Sequence, residues 1–390
     1  MYDFNTSIDR TGTGSIKIDF APEPVKGSGL VPLTIADQEF ACAPEIVSAV
    51  KDAADCMIFG YTYGDKTYRD AVDNWMMTRH DWDSSGFKVV TTNGVVPALG
   101  IAIQAYTEPG DGVVIQSPVY MMFAHAIRRN DRRIVDNPLI YNDGRYEMDY
   151  DDLDAKTKPD DVKLLLLCSP HNPVGRVWSE DELRKLGEIC IRNNVLIIAD
   201  EIHNDLILPG NKHTVFASIP GMAEHCVTCT AVSKTFNLAG LSCSNIFFPN
   251  DELMKPFKSV CEKVNGTLVP YFARAATIAA YTRCAGWVDE LNEAIDANYN
   301  TLYAFIDERY PMLHAIRAQG TYLAWVDMRA LGLDDKALEK LMLDHGLAFD
   351  EGYLFGEGGS GFERWNLALP NAKLRVALDK FAEALNSVLS

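Results

Sequence analysis

Between residues 88 and 234 the chain alternates short β-rich runs with helical segments, and few architectures accept that pattern. Strands joined by helices pair in parallel and form a sheet that the helices cover. The strands are expected at Lys88 to Thr91, Gly112 to Gln116, Arg132 to Asp136, Val162 to Cys168, Val195 to Ala199 and Cys226 to Ala231. Helices are expected at Val95 to Tyr106 and Ser179 to Asn193, the second opening with Ser179 and Glu182 in capping-box spacing. The fold class is therefore α/β.

After about residue 285 the texture changes. A helical stretch from Trp287 to Tyr310 leads to strands near Leu313 to Arg317 and Tyr322 to Asp327, then helix, strand, strand and a terminal helix. This reads as a second, smaller α+β domain. The first 40 residues, rich in Gly, Pro and Thr, read as an arm belonging to it. The expected division is an arm at 1–40, a large domain at 41–285 and a small domain at 286–390. A chain of 390 residues suits two domains.

Composition removes several function classes. The formal net charge of −18 argues against phosphate backbones and anionic lipid, both of which require clustered Lys and Arg. The longest apolar run, Lys163 to Cys168, has strand length, far below the ~20 residues of a membrane span. The amino terminus lacks the basic stretch and apolar run of a signal peptide. With 9 scattered cysteines, it points to reduced thiols in a cytoplasm. Cys226 and Cys229 form a C-x-x-C, but no second pair matches it, and their neighbours read as a strand, so buried thiols account for them better than a metal site.

Three segments carry chemistry. In Ala231-Val232-Ser233-Lys234-Thr235-Phe236-Asn237, a lone lysine follows a buried strand. Desolvation there lowers an amine's pKa, as imine formation requires. On spacing alone, a lysine snorkelling to the surface is the commoner explanation. Ser169-Pro170-His171-Asn172 and Asp200-Glu201-Ile202-His203 each follow a strand, placing polar groups at the carboxyl edge of one sheet, where ligands of open α/β sheets bind. An Asp there can pair with a protonated pyridine nitrogen, and Asn172 can donate to a phenolate oxygen. Each signal also has a plain reading, as a turn former or a helix cap. Thr92-Asn93-Gly94-Val95 connects strand to helix, so the N–H groups of Gly94 and Val95 can face a phosphate. Tyr120 follows the next strand and is placed either to stack on a ring or to fill a core. His203 beside Asp200 and Glu201 suggests a metal, but no third and fourth ligand stands at metal-site spacing, so none is expected.

Taken in order, these segments resemble the fold type I pyridoxal-5'-phosphate (PLP) enzymes of the aminotransferase superfamily, from about residue 30 to the carboxyl terminus. The resemblance narrows to the MalY/PatB-like carbon–sulfur β-lyases of cystathionine β-lyase type. It rests on Tyr2-Asp3-Phe4, Asp9-Arg10-Thr11-Gly12-Thr13-Gly14-Ser15, Phe59-Gly60-Tyr61-Thr62-Tyr63-Gly64, Asp200-Glu201-Ile202-His203 and Ser233-Lys234-Thr235-Phe236-Asn237. The resemblance implies PLP as cofactor, with the large domain binding it. Lys234 is then the Schiff-base lysine, Asp200 the partner of the pyridine nitrogen and Asn172 the contact of the ring oxygen. Tyr120 stacks on the ring, Gly94, Val95 and Ser233 hold the phosphate, and His203 stands where many aminotransferases carry Tyr. Arg364 grips the carboxylate of an amino-acid substrate, near a segment containing Ala36. Tyr61 reaches the phosphate of a neighbouring subunit, which implies a homodimer with shared sites. The sequence departs from the family's Trp-Val-Ala-Asp-Met-Asp-Phe at Thr34-Ile35-Ala36-Asp37-Gln38-Glu39-Phe40, and Ala231 replaces a frequent hydroxyl residue.

The activity these features imply is elimination of a thiol from cystathionine or another S-substituted cysteine, giving pyruvate and ammonia. An aminotransferase is the alternative, left open by the departure at 34–40. A ligand-sensing regulator is the third reading, although no helix-turn-helix module is appended.

Overall fold

The computed structural model describes residues 1–23, 25–29, 32–263 and 268–389. Its strands are β1 (Lys88–Thr92), β2 (Gly112–Ile115), β3 (Arg133–Asp136), β4 (Ile140–Asn142), β5 (Arg145–Glu147), β6 (Val162–Cys168), β7 (Leu196–Asp200), β8 (Cys226–Thr230), β9 (Ser244–Phe248), β10 (His314–Ala315), β11 (Leu323–Asp327), β12 (Asp350–Glu351) and β13 (Phe362–Asn366). Seven of them form one sheet in the order β1-β9-β8-β7-β6-β2-β3. β2 pairs in parallel with β3 and β6, and the parallel ladder continues through β7 to β8.

The strand β9 pairs antiparallel with both β1 and β8. It stands beyond the alternating stretch of the sequence, which carried no expectation of it, and it makes the sheet mixed. Burial on both faces explains why the central strands are apolar without alternation. Leu165 and Leu167 of β6 join the core packed by Trp75 and Leu183, from the helices Lys66–His80 and Glu180–Arg192. Leu164, Leu166 and Cys168 join the opposite core with Leu99 and Phe257, from the helices Val95–Tyr106 and Asp251–Lys263. Cys226 and Cys229 fall on these two different sides of β8, and among the described residues no cluster of His, Cys, Asp and Glu suits a metal.

Register sets the working edge of the sheet. Cys168, Asp200 and Cys229 are partnered across β6, β7 and β8, so these strands end together. The capping box forms as expected: Ser179 Oγ accepts from the Glu182 N–H at 3.3 Å, and a Glu182 carboxylate oxygen accepts from the Ser179 N–H at 2.8 Å.

The carboxyl-terminal part builds a four-stranded antiparallel sheet, β10-β11-β13-β12, beside the long helix Ala285–Arg309. The strand expected over Leu313 to Arg317 shortens to His314–Ala315. The backbone after it turns away because the N–H groups of Gln319 and Gly320 bond the Gly175 carbonyl, at 2.7 and 3.2 Å. At the other end of the chain, Arg10 pairs with Asp37 and Glu39 at 2.8 Å each, and the buried Lys17 lies 3.1 Å from Glu39. These pairs tie the arm to the segment 34–40. No helix among the described residues is long and apolar enough to cross a membrane.

Candidate active site

A cavity of about 160 Å³ opens at the carboxyl edge of the seven-stranded sheet. β7 delivers Asp200 as its last residue, and the carboxylate lies buried with one oxygen accepting from the Ile202 N–H at 3.1 Å. Burial raises its pKa to about 7, against the Ile202 hydrogen bond and the Lys234 charge, which lower it. Among the described residues it has no ion-pair partner within 4 Å.

Lys234 lies in the single turn Val232–Thr235 that follows β8. Its Nζ donates to the Ala36 carbonyl at 2.7 Å. Burial, then the nearby Arg364 charge, lower its pKa to about 8, with Asp37, Asp200 and Asp350 opposing. At pH 7 such an amine is neutral in roughly one molecule in ten, far more often than an ordinary lysine, and the neutral amine is the state a nucleophile or a base requires.

One side of the cavity is shaped by a helix start. Gly94 has φ of +115°, a backbone that side-chain-bearing residues rarely adopt, and the helix Val95–Tyr106 begins directly after it. Pro97 stands in that first turn, where its missing N–H breaks no helical bond. The N–H groups of Val95 and Val96 lie beyond the reach of intrahelical carbonyls and carry the positive end of the helix dipole. Ser233 lines the same cavity.

Asn172 and Arg364 are brought together from different sheets. Arg364 Nη1 donates to Asn172 Oδ1 at 3.0 Å, which leaves the Asn172 amide N–H groups for a ligand oxygen. Arg364 is buried rather than facing solvent; it pairs with Asp350 through Nη2 and stacks over Phe355 at 4.9 Å. Its Nε has no hydrogen-bond partner among the described residues. The guanidinium is thus anchored on one side and unsatisfied on another.

Tyr120, Ala36 and His203 also line the cavity. Burial holds the Tyr120 phenol protonated, and burial drives His203 well below its ordinary pKa, so the imidazole is neutral. His203 Nδ1 has no partner among the described residues. Tyr61 is not in this cavity, and its side chain is 93% exposed. Sequence reasoning missed Asp350, the anion of Arg364, and Tyr322, whose hydroxyl donates to the Ala36 carbonyl at 2.9 Å. It also missed Gln38 and Asn237, which bond the segment 34–40 to the turn carrying Lys234. Their contacts were not foreseen because each joins residues far apart in the chain.

The residues fit the groups of PLP. Asp200 suits a ring nitrogen, Asn172 a ring oxygen, Tyr120 a ring face and the helix start a phosphate, with Lys234 Nζ left for the aldehyde carbon.

The mixed sheet with this site at its carboxyl edge defines an aminotransferase-like enzyme. The chain belongs to the aminotransferase class I and II family, whose model matches residues 29–381. It is 40% identical over 385 residues to cystathionine beta-lyase PatB of Bacillus subtilis, covering 98% of this chain and 100% of that one. It is 32% identical to Protein MalY of Escherichia coli, with 100% of each chain covered. The solved structure of cystalysin from Treponema denticola, described as containing a pyridoxal 5'-phosphate cofactor, superposes with a TM-score of 0.96 at 40% identity, again covering 100% of both chains.

Proposed function

We propose that this protein is a PLP-dependent carbon–sulfur β-lyase acting on an S-substituted cysteine such as cystathionine. The thioether and one water become a thiol, pyruvate and ammonia. One observation carries the reading. A buried amine of lowered basicity and a buried carboxylate of raised pKa share a cavity with a helix amino terminus, in a chain matched end to end by a protein named cystathionine beta-lyase.

When bound, PLP supplies a sink for the electron pair left at the substrate Cα. Lys234 Nζ would hold the cofactor at its aldehyde carbon, and the same amine, when free, would serve as the base for the Cα proton. Asp200 would hold the ring nitrogen as its acidic partner, which favours the protonated ring. Arg364 offers its unpartnered Nε and remaining Nη protons to the substrate carboxylate, while Asp350 and Asn172 fix the plane of the guanidinium. Such a clamp would limit the orientations in which the Cα–H bond meets the Lys234 amine.

The same reading gives a large domain at 41–285 that holds the cofactor and a small domain at 286–390, with the arm 1–40, that delivers Arg364. It includes a homodimer in which Tyr61 reaches the neighbouring subunit's phosphate. A cytoplasmic location is supported by free thiols, none of the described cysteines being in a disulfide.

Two measurements test it. Pyruvate is expected from cystathionine without any oxo-acid acceptor, and an absolute requirement for an acceptor would make the protein an aminotransferase instead. Lys234→Ala is expected to lose more than the ~10²- to 10⁴-fold of general-base catalysis, because the same amine also holds the cofactor. Turnover near wild type in that variant would refute the assignment.

A further inference from the structure

The Ala36 carbonyl receives two donors, Lys234 Nζ at 2.7 Å and Tyr322 Oη at 2.9 Å. A carbonyl oxygen has two lone pairs, so both are engaged. The position of this oxygen is set from several sides. Asn366 Nδ2 donates to the carbonyls on either side of it, Ile35 at 2.6 Å and Asp37 at 2.7 Å. The Ile35 N–H bonds Asp350 at 3.0 Å, and Ile35 has φ of +51°, in the left-handed region that a β-branched residue rarely enters. The segment is held in a shape it would not choose, and that shape aims the Ala36 oxygen at Lys234.

The two donors differ in kind. Tyr322 is fully buried and its phenol is pushed up by burial, so it remains a donor at every working pH. A free Lys234 amine has several N–H protons to offer this oxygen, whereas a nitrogen joined to a carbon as an imine keeps at most one, so this is the donor that a bound cofactor would compete for. We infer that Tyr322 is a positioning residue for the cofactor-bearing lysine: its hydroxyl keeps the Ala36 carbonyl hydrogen-bonded and in place when the amine departs, so that the same oxygen receives the amine on its return. This rests on Lys234 being the cofactor's lysine. The plain alternative is a core tyrosine satisfied by the nearest carbonyl, which would matter equally with and without cofactor.

The test compares cofactor-free and cofactor-loaded protein. In Tyr322→Phe the carbonyl keeps Lys234 as donor in the free protein but becomes an unsatisfied buried acceptor once the lysine is engaged. The dissociation constant for PLP, read from quenching of intrinsic fluorescence, is therefore expected to rise roughly 5- to 150-fold, the fold-change equivalent of ~1–3 kcal/mol. The unfolding midpoint of the cofactor-free variant should stay close to wild type. Borohydride trapping and peptide mapping on the same sample should find the adduct on Lys234. Unchanged PLP affinity with the adduct on Lys234 overturns the inference and leaves the lyase reading intact. Equal destabilisation of both forms overturns it in favour of the core role. An adduct on another lysine overturns both readings. Should Tyr322→Phe fail to fold, 4-aminophenylalanine at position 322 keeps an N–H donor. It is expected to restore wild-type PLP affinity, and loss of affinity there overturns the inference too.

Discussion

Two ionisable side chains in the cavity are shifted in opposite directions by one cause, burial. Asp200 is raised to about 7 and Lys234 lowered to about 8, so each resists its charged form. The consequence for stability is directional. Because the folded-state pKa of Lys234 lies below its ordinary 10.5, the unfolded chain binds more protons between about pH 8 and 10.5, and this group's contribution to stability improves as pH rises through that window. Below pH 8 the penalty is complete. Replacing the amine by a similar apolar shape removes it, and Tyr322 still satisfies the Ala36 carbonyl. Cofactor-free Lys234→Met is therefore expected to be more stable than wild type at pH 7 by about 3 kcal/mol, at ~1.4 kcal/mol per pKa unit. The gain should fade toward pH 10.5. Denaturant unfolding at pH 7 and 10 checks this, and a variant less stable at pH 7 would contradict the buried-amine picture. Lys234, Asp200 and Asn172 were legible in the sequence because each follows a recognisable strand, and strand ends in such sheets face ligand. Asp350 and Tyr322 were not legible. Asp350 stands on a two-residue strand, and Tyr322 finds its acceptor far away in the chain, at Ala36.

At the scale of elements, what could be read depended on whether bonding partners were local. The helix Glu180–Arg192 was announced by Ser179 and Glu182, whose reciprocal bonds close within four residues. Glu182 also binds the buried Arg176 at 2.7 Å, and that guanidinium lies 4.5 Å from the Trp178 ring centre. Glu182 thus links the helix start to Arg176, which follows Asn172 in the same loop. Ser179→Ala is expected to cost about 1 kcal/mol, the usual worth of an N-cap hydroxyl, with PLP affinity kept. A loss well above that in thermal unfolding would mean that the cap also holds the loop. The strand β9 had no such local signature: it gains its place by pairing with both β1 and β8, so only the assembled sheet reveals it. β12 and β13 are the two strands expected before the terminal helix, and β12 is a short one that matches Asp350 to Arg364 across the ladder.

At the scale of the whole molecule, one segment stands out by its exposure. Met57, Ile58, Phe59, Tyr61 and Tyr63 are 83, 77, 60, 93 and 70% exposed, an apolar run on the surface of an otherwise acidic protein. Solvent-facing apolar runs of this kind mark association surfaces. Its base is ordered, since the Phe59 ring lies 5.1 Å from that of Phe272 and the Thr62 hydroxyl bonds the Val269 carbonyl at 2.6 Å. The proposed homodimer covers this segment and directs Tyr61 to the neighbour's phosphate. Two variants separate these roles. Ile58→Asp leaves the monomer's interior untouched and is expected to shift the protein from dimer to monomer in sedimentation, with loss of activity. Tyr61→Phe keeps the apolar contact and removes one hydrogen bond to a charged group, about 1.5–3 kcal/mol, so the dimer should persist while PLP binds roughly 10- to 150-fold more weakly. Wild-type protein that sediments as an active monomer would exclude the shared site, and the segment 57–63 would then need another partner.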